Sequence, residues 1–156
     1  MPISPKVKAF LDEQNVEYEI AEHPIAYTAM EVAGSQHIPG KQMVKSVIIK
    51  SNGEFVMCVL PAIHLIDFEK LKSVTGEKAI KLANEEEIAL LFPDYEVGAE
   101  PPFGQLYGLK VYADKILEED REIVFNAGTH TDVVKMKFSD YKRLVNPIVE
   151  DIGTHI

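Results

Sequence analysis

Two β-forming runs, residues 44–50 and 54–60, flank the dipeptide Asn52-Gly53. Asn-Gly tolerates the positive backbone angles of a tight two-residue turn, so the pair is a strong hairpin signal. A chain with such a hairpin in its middle is committed to antiparallel pairing. The flanking segments do not restore a regular βαβ alternation. Ser4 and Pro5 open a helix that ends near Gln14-Asn15, with Val7, Phe10 and Leu11 on one face. Residues 16–20 alternate as a strand. Thr28 and Glu31 form a capping box for a helix running to about Gln36. Asp67 caps a helix carrying Phe68, Leu71 and Val74, which Gly76 ends, and residues 78–82 read as a short strand. Asn84 with Glu87 opens another helix, stopped by Pro93. Residues 107–113, 122–126 and 132–138 read as strands. Ser139 caps a last helix through Leu144, which Asn146-Pro147 breaks. The pattern predicts a mixed α/β (α+β) domain over residues 1–156, a mostly antiparallel sheet of six to seven strands that curls, and helices packed outside it.

Composition narrows the function. With 16 basic against 25 acidic residues the formal charge is −9, so any contact with a polyanion uses a local basic patch. One cysteine, Cys58, excludes an internal disulfide framework and a cysteine-based zinc cluster. No apolar run reaches the roughly 18 residues of a membrane span, and the N-terminus lacks a signal-peptide stretch. The expectation is a cytoplasmic protein. Phosphate-loop, dinucleotide-fold and nucleophile-elbow motifs are all missing. The histidines, His23, His37, His64, His130 and His155, are scattered and give no metal-ligand spacing. His64 reads as a satisfied, partly buried histidine.

Three stretches resist a generic reading. In residues 40–50 a lysine, Lys45, opens an otherwise apolar strand; a solvated lysine on an outer face is the plain alternative. In residues 97–104 the order Val-Gly-Ala-Glu-Pro-Pro-Phe-Gly makes a stiff loop that can press backbone amides against a ligand, or simply a tight connection. In residues 126–132 a strand ends in Asn-Ala-Gly-Thr-His-Thr-Asp, a small-residue turn dense in hydrogen-bonding groups, or an ordinary polar hairpin loop.

Taken together, Lys45 after a glycine-containing turn, Gly98, Pro102, Phe103 and Gly104 in the loop, and Asn126, Ala127 and Gly128 in the turn resemble the YbaK/prolyl-tRNA-synthetase-associated domain family. His23-Pro24, followed by a helix from Thr28, also fits, and the resemblance covers essentially the whole chain. It implies a YbaK-like fold and hydrolysis of the ester joining a wrong amino acid to the terminal ribose of a tRNA, a translation-fidelity activity. It implies neither a metal nor an organic cofactor. Ser46 after the lysine, and Thr129-His130-Thr131-Asp132 after the turn, vary within the family and leave the amino acid open.

The chemistry can be built on these residues. An aminoacyl ester is already activated; the site must hold it, stabilise an oxyanion and place a water. Amides around Gly98, Gly104 or Gly128 are candidate oxyanion donors. Lys45 supplies a point charge for a phosphate or the carbonyl. His130 can orient the water or the amine, and Asp132 can accept from the ammonium or brace the turn. Lys45, Gly98, Gly128 and His130 are the candidate catalytic set. Ser46, Pro102, Phe103, Gly104, Asn126, Thr129 and Asp132 are the candidate substrate contacts, with Pro102 and Phe103 walling the cavity. A Ser46–His130–Asp132 triad is formally available, but the resemblance implies no serine nucleophile. The leading reading is a freestanding trans-editing deacylase acting on a small mis-attached amino acid, alanine on tRNA for proline first, with cysteine, serine and threonine open. Its partner is the tRNA acceptor end, approached through Lys41, Lys45 and Lys50, with an aminoacyl-tRNA synthetase as a further partner. The rivals are a noncatalytic module that binds an aminoacyl or acceptor-end group, and an unrelated small-molecule hydrolase.

Overall fold

A computed structural model describes residues 4–22, 42–129 and 131–155. The helix expected from Thr28, the His23-Pro24 segment, His37, Lys41 and His130 lie outside the described residues. The described chain runs α1 (Pro5–Glu13), β1 (Tyr18–Glu22), β2 (Met43–Ser51), β3 (Glu54–Pro61), β4 (His64–Ile66), α2 (Phe68–Thr75), β5 (Ile80–Leu82) and α3 (Glu85–Leu91). A 3₁₀ turn (Gly104–Tyr107) precedes β6 (Lys110–Asp114), and a second (Lys115–Glu119) precedes β7 (Glu122–Asn126). Then follow β8 (Asp132–Lys137), α4 (Phe138–Val145), β9 (Ile148–Glu150) and β10 (Gly153–His155).

Local chemistry explains most boundaries. Asn52 and Gly53 take φ of 50° and 82°, and β2 pairs antiparallel with β3 from Val44–Pro61 to Ser51–Glu54. The Asp67 carboxylate accepts from the amides of Glu69 and Lys70 at the start of α2, and Gly76 closes that helix in the left-handed region. Asn84 and Glu87 form a reciprocal capping box at α3.

Other boundaries differ from expectation. The strand predicted from residue 107 starts at Lys110, because residues 104–107 wind into the 3₁₀ turn that Gly108 ends at φ 75°. Helix α4 starts at Phe138 with Lys137 as its N-terminal cap position, so Ser139 lies inside it. Ser4 precedes α1, but its hydroxyl does not cap that helix; it donates to Tyr95 at 3.0 Å. Strand β1 sits two residues later than predicted, because its register is set by β8 through Tyr18–Met136 and Glu22–Asp132.

Among the described residues the main sheet has eight strands in the order β1-β8-β7-β2-β3-β6-β9, with β5 pairing beside the end of β2. That is one more than the upper expectation, because the three residues of β9 join β6 in parallel. Pairs β1–β8, β7–β8, β2–β3 and β2–β5 are antiparallel, whereas β2–β7, β3–β6 and β6–β9 are parallel. Strands β4 and β10 form a separate antiparallel ribbon. No helix of the described chain is long and apolar enough to cross a membrane.

The central strands β2, β3, β6 and β7 are covered on both faces, so they read as apolar runs, whereas the outer β1, β5 and β9 are mostly exposed. One face presents Val44, Ile48, Val59 and Phe125 to α1 and α4. The other presents Ile49, Val56, Cys58 and Tyr112 to Leu71 of α2 and to Ile152. Cys58 is fully buried and burial pushes its thiol up to about 12, so it is not a reactive nucleophile. His64 is buried with its Nδ1 3.1 Å from an Asp114 carboxylate oxygen, in keeping with a satisfied core histidine.

One buried hydrogen bond ties the core to the glycine–proline loop. The fully buried Tyr141 of α4 donates its hydroxyl to the Pro102 carbonyl at 2.6 Å. Replacing Tyr141 by Phe strands that carbonyl, at a cost of about 1–3 kcal/mol. In a domain of this size the melting temperature should fall by about 2–4 °C per kcal/mol. An unchanged melt would show that the loop does not depend on this anchor.

Candidate active site

The C-terminal end of β7 gathers the three distinctive stretches. Strand β7 finishes at Asn126 and β8 begins at Asp132, whose carbonyl accepts from the Ala127 amide at 3.1 Å. Gly128 sits at φ 101°, a region that L side chains avoid. A Cβ there would lie 2.9 Å from the Tyr95 ring and 3.2 Å from the Ser4 Cβ, so both space and backbone demand glycine. The Asp132 side chain is 1% exposed. Its Oδ2 accepts from Thr129 at 2.5 Å and Thr131 at 3.3 Å. Of the two roles open to Asp132, the geometry is that of a brace.

The glycine–proline loop is strapped to this turn. Gly128 donates its amide to the Ala99 carbonyl, and Glu96 donates its amide to the Gly128 carbonyl, each at 3.0 Å. Gly98, at φ 91°, donates its amide to the Glu100 carboxylate at 3.0 Å. Two of the three glycine amides expected as oxyanion donors, those of Gly98 and Gly128, are therefore committed inside the protein. Pro102 is buried, and Phe103, 1% exposed, packs its ring edge-on against Phe10, Phe125 and Tyr141. These two residues hold the loop from the core side; Phe103 does not wall an open cavity. Gly104 is pressed onto the sheet, where a Cβ would meet Val111 at 3.0 Å and Met57 at 3.2 Å.

Lys45 reaches the same end of β7 from the neighbouring strand. Parallel pairing sets Met43 beside Val124 and Val44 beside Phe125. One further step along both strands puts Lys45 level with Asn126. Alternation places Lys45 on the face of Val47 and Ile49, with Ser46 on the opposite face with Val44 and Ile48. Ser46 is thus not a neighbour of the lysine head group, contrary to the expectation that both touch one ligand. The Lys45 ammonium donates to the Ala62 carbonyl at 3.5 Å, and among the described residues it pairs with no carboxylate. Burial alone depresses its pKa. Asn126 is 6% exposed, and its Oδ1 has no hydrogen-bond partner among the described residues; the Ser46 hydroxyl has none either. Lys50 is engaged elsewhere, paired with Glu87 at 2.9 Å.

Sequence reasoning missed the supports. Tyr95, Tyr107 and Ser4 back the turn, and Glu100 holds the Gly98 amide, all through contacts distant in sequence or local to an irregular loop. An aromatic at residue 95 carries no periodic signal that would mark such a role.

Comparison with known proteins follows the same residues. Residues 23–144 match the aminoacyl-tRNA editing domain. The chain is 35% identical over 109 residues to the proline–tRNA ligase of Staphylococcus saprophyticus, covering 68% of this chain and 18% of that protein. It is 35% identical over 112 residues to the proline–tRNA ligase of Staphylococcus aureus strain Newman, covering 70% and 19%. The chain therefore spans about a fifth of the curated relatives it matches. Its fold matches a crystal structure described as a candidate trans-editing enzyme for prolyl tRNA synthetase, with a TM-score of 0.85, 22% identity, and coverage of 98% of this chain and 99% of that one. With the editing-domain match running across β2, the strapped loop and the Gly128 turn, the chain belongs to the aminoacyl-tRNA editing domain family.

Proposed function

We propose that this chain is a trans-editing deacylase that hydrolyses the ester of a small amino acid mis-attached to tRNA, alanine on tRNA for proline first. The observation that carries the reading is Lys45: a half-buried ammonium with no carboxylate partner among the described residues, level with an unsatisfied Asn126 oxygen at the strapped turn. Its likeness to proline–tRNA ligases supports the tRNA identity.

The ester needs no covalent nucleophile. Partial removal from water strengthens the field of Lys45 at a carbonyl oxygen that gains charge in the tetrahedral state. The Asn126 Oδ1 is an acceptor at the same level of the sheet, suited to the substrate ammonium or to an attacking water. Lys45 and Asn126 are the residues assigned to the reacting ester. Gly98, Gly128, Thr129 and Asp132 shape the site through the strap and the turn, and Pro102, Phe103 and Gly104 anchor it. His130 is assigned to orienting the amine or the water. A rigid turn excludes an oversized side chain by clash but discriminates weakly against a smaller one, since a methylene is worth only about 1–3 kcal/mol.

Replacing Lys45 by Met should separate activity from stability. The neutral side chain keeps the length and removes a charge that burial disfavours. Deacylation should fall by about 10²–10³, the scale of losing one oxyanion-stabilising group, while the melting temperature rises. Unchanged activity in a folded Lys45→Met protein would return the residue to an ordinary surface lysine.

The pH dependence has a definite sign. The ammonium form exists below its pKa, and burial moves that pKa below the ordinary lysine value of 10.5. Enzyme-catalysed turnover, corrected for spontaneous ester hydrolysis, should therefore decline on the alkaline side at lower pH than a solvated lysine would give. The Lys45 contribution to stability runs the other way. The folded state binds this proton less tightly than the unfolded chain, so the penalty is full below the folded pKa and is relieved as pH rises towards the unfolded value. An alkaline limb identical in wild type and Lys45→Met would remove Lys45 from the titration.

Substrate choice is read from a panel of alanyl, seryl, cysteinyl, threonyl and prolyl esters on one tRNA. Alanyl ester should be cleaved fastest and prolyl ester spared. Tight binding of aminoacyl-tRNA without turnover of any member would favour a noncatalytic capture module.

A further inference from the structure

We propose that Tyr95 is a positioning residue through which the start of helix α1 fixes the Gly128 turn, an assignment that rests on the deacylase reading of that turn. Gly128 is tightly enclosed. Its backbone is wedged between the Tyr95 ring and the Ser4 side chain, at distances that leave no room for a Cβ. Ser4 ties the turn to Tyr95: its amide donates to the Ala127 carbonyl at 2.8 Å, and its hydroxyl donates to the Tyr95 hydroxyl at 3.0 Å. The Tyr107 hydroxyl donates to the same Tyr95 oxygen, so one phenol oxygen collects two donors from distant parts of the chain. The Tyr95 ring stacks on Phe92 at 5.9 Å and meets Tyr107 edge-on at 5.5 Å, which removes its freedom to rotate. Lys6 of α1 lies 4.2 Å over the Tyr107 ring and adds a second tie from the same helix.

The turn is thus gripped from two sides. Ala99 and Glu96 strap it to the glycine–proline loop, and Ser4, Tyr95 and Tyr107 back it from behind. A displacement of about 1 Å in a positioning element is enough to cost a large factor in rate. Buried hydroxyls that converge on one oxygen suit such a function, because each is costly to leave unpaired and the group holds a single geometry. The editing-domain match begins at residue 23, so Ser4 and Lys6 grip the turn from outside the matched stretch. The expected consequence is that the N-terminal helix sets the rate of ester cleavage without touching the ester.

The test uses the full chain with Tyr95→Phe, Ser4→Ala and Ser4→Thr. Val145→Ala, a buried site on α4, supplies a control that loses core packing away from the turn. Amide hydrogen exchange reads the brace directly. Tyr95→Phe and Ser4→Ala should lower protection of the Gly128 amide by about tenfold relative to β3 amides, a change of about 1.4 kcal/mol in local opening, and Ser4→Thr should restore it. Unchanged Gly128 protection in both variants overturns the proposal. In deacylation, well below the melting temperatures, Tyr95→Phe should lower kcat by about tenfold with KM within roughly twofold, whereas Val145→Ala keeps the wild-type kcat. Equal kcat in Tyr95→Phe and wild type also overturns it. A wild-type chain that cleaves no mischarged tRNA would instead overturn the deacylase reading, and exchange at Gly128 would still decide the brace.

Discussion

Two residue pairs, Met43–Val124 and Val44–Phe125, join β2 to β7 in parallel, and the arrangement of the site depends on that junction. On one side lies the β2–β3 hairpin, whose register Asn52-Gly53 sets. On the other lies the β7–β8 hairpin, which ends in the Gly128 turn. Each hairpin is local in sequence and could pair within itself. Only the parallel junction brings Lys45 level with Asn126, and a slip of one residue would send the lysine to the opposite face. The register is held by burial on both sides: Val44 and Phe125 face one core, while Met43 and Val124 are enclosed on the other face.

Around this junction the protein carries polar groups it leaves poorly satisfied. Lys45 is partly desolvated with one long hydrogen bond to a carbonyl, and the Asn126 Oδ1 and Ser46 Oγ are buried without a partner among the described residues. Other buried polar groups are compensated, His64 by Asp114, Tyr141 by Pro102 and Asp132 by two threonine hydroxyls, whereas the Gln105 amide in the 3₁₀ turn has no partner among the described residues. Lys45 and the Asn126 Oδ1, level with each other at one end of the β2–β7 pair, are what a preorganised site requires, since donors and acceptors spent on the protein are not available to a ligand. The committed amides of Gly98 and Gly128 show the converse. Those glycines are needed for the shape of the strap, and their amides are used to build it.

How far the sequence could be read follows from the range of the interactions. The hairpin, the Asp67 cap and the Asn84–Glu87 capping box are settled by neighbours within a few residues, and all were legible. Strands β4, β9 and β10 were not, because three residues each carry no periodicity and exist only through their partners. The start of β6 was misplaced because Leu106 and Tyr107 look β-forming, whereas Gly108 closes a 3₁₀ turn there. At the site, Lys45, the glycine–proline loop and the Asn126–Asp132 turn stood out in the sequence. Their division of labour did not. Whether Phe103 lines a cavity or anchors a loop depends on Phe10, Phe125 and Tyr141, which come from three other elements. Ser46 parts from Lys45 for a simpler reason: adjacency along a strand means opposite faces across it.

The charge distribution bears on how a chain of net charge −9 could meet a tRNA. Several lysines that would attract phosphate are paired with their own neighbours: Lys8 with Asp12, Lys50 with Glu87, Lys70 with Asp151 and Lys142 with Glu118. Exposed pairs of this kind add little stability, but they flatten the positive potential over the surface. Lys78, Lys81, Lys110, Lys115 and Lys137 likewise pair with no described carboxylate, but they are exposed; Lys45 is different because partial burial concentrates its field. A surface arranged this way gains little from the counterion release that drives general RNA binding. Beside the shaped turn it presents the partly buried Lys45, so discrimination must come from the group that enters the site, the aminoacyl ester, more than from the phosphates that carry it there. That places the burden of specificity on the rigidity of the turn, which the Ala99–Gly128 strap and the hydroxyls converging on Tyr95 provide.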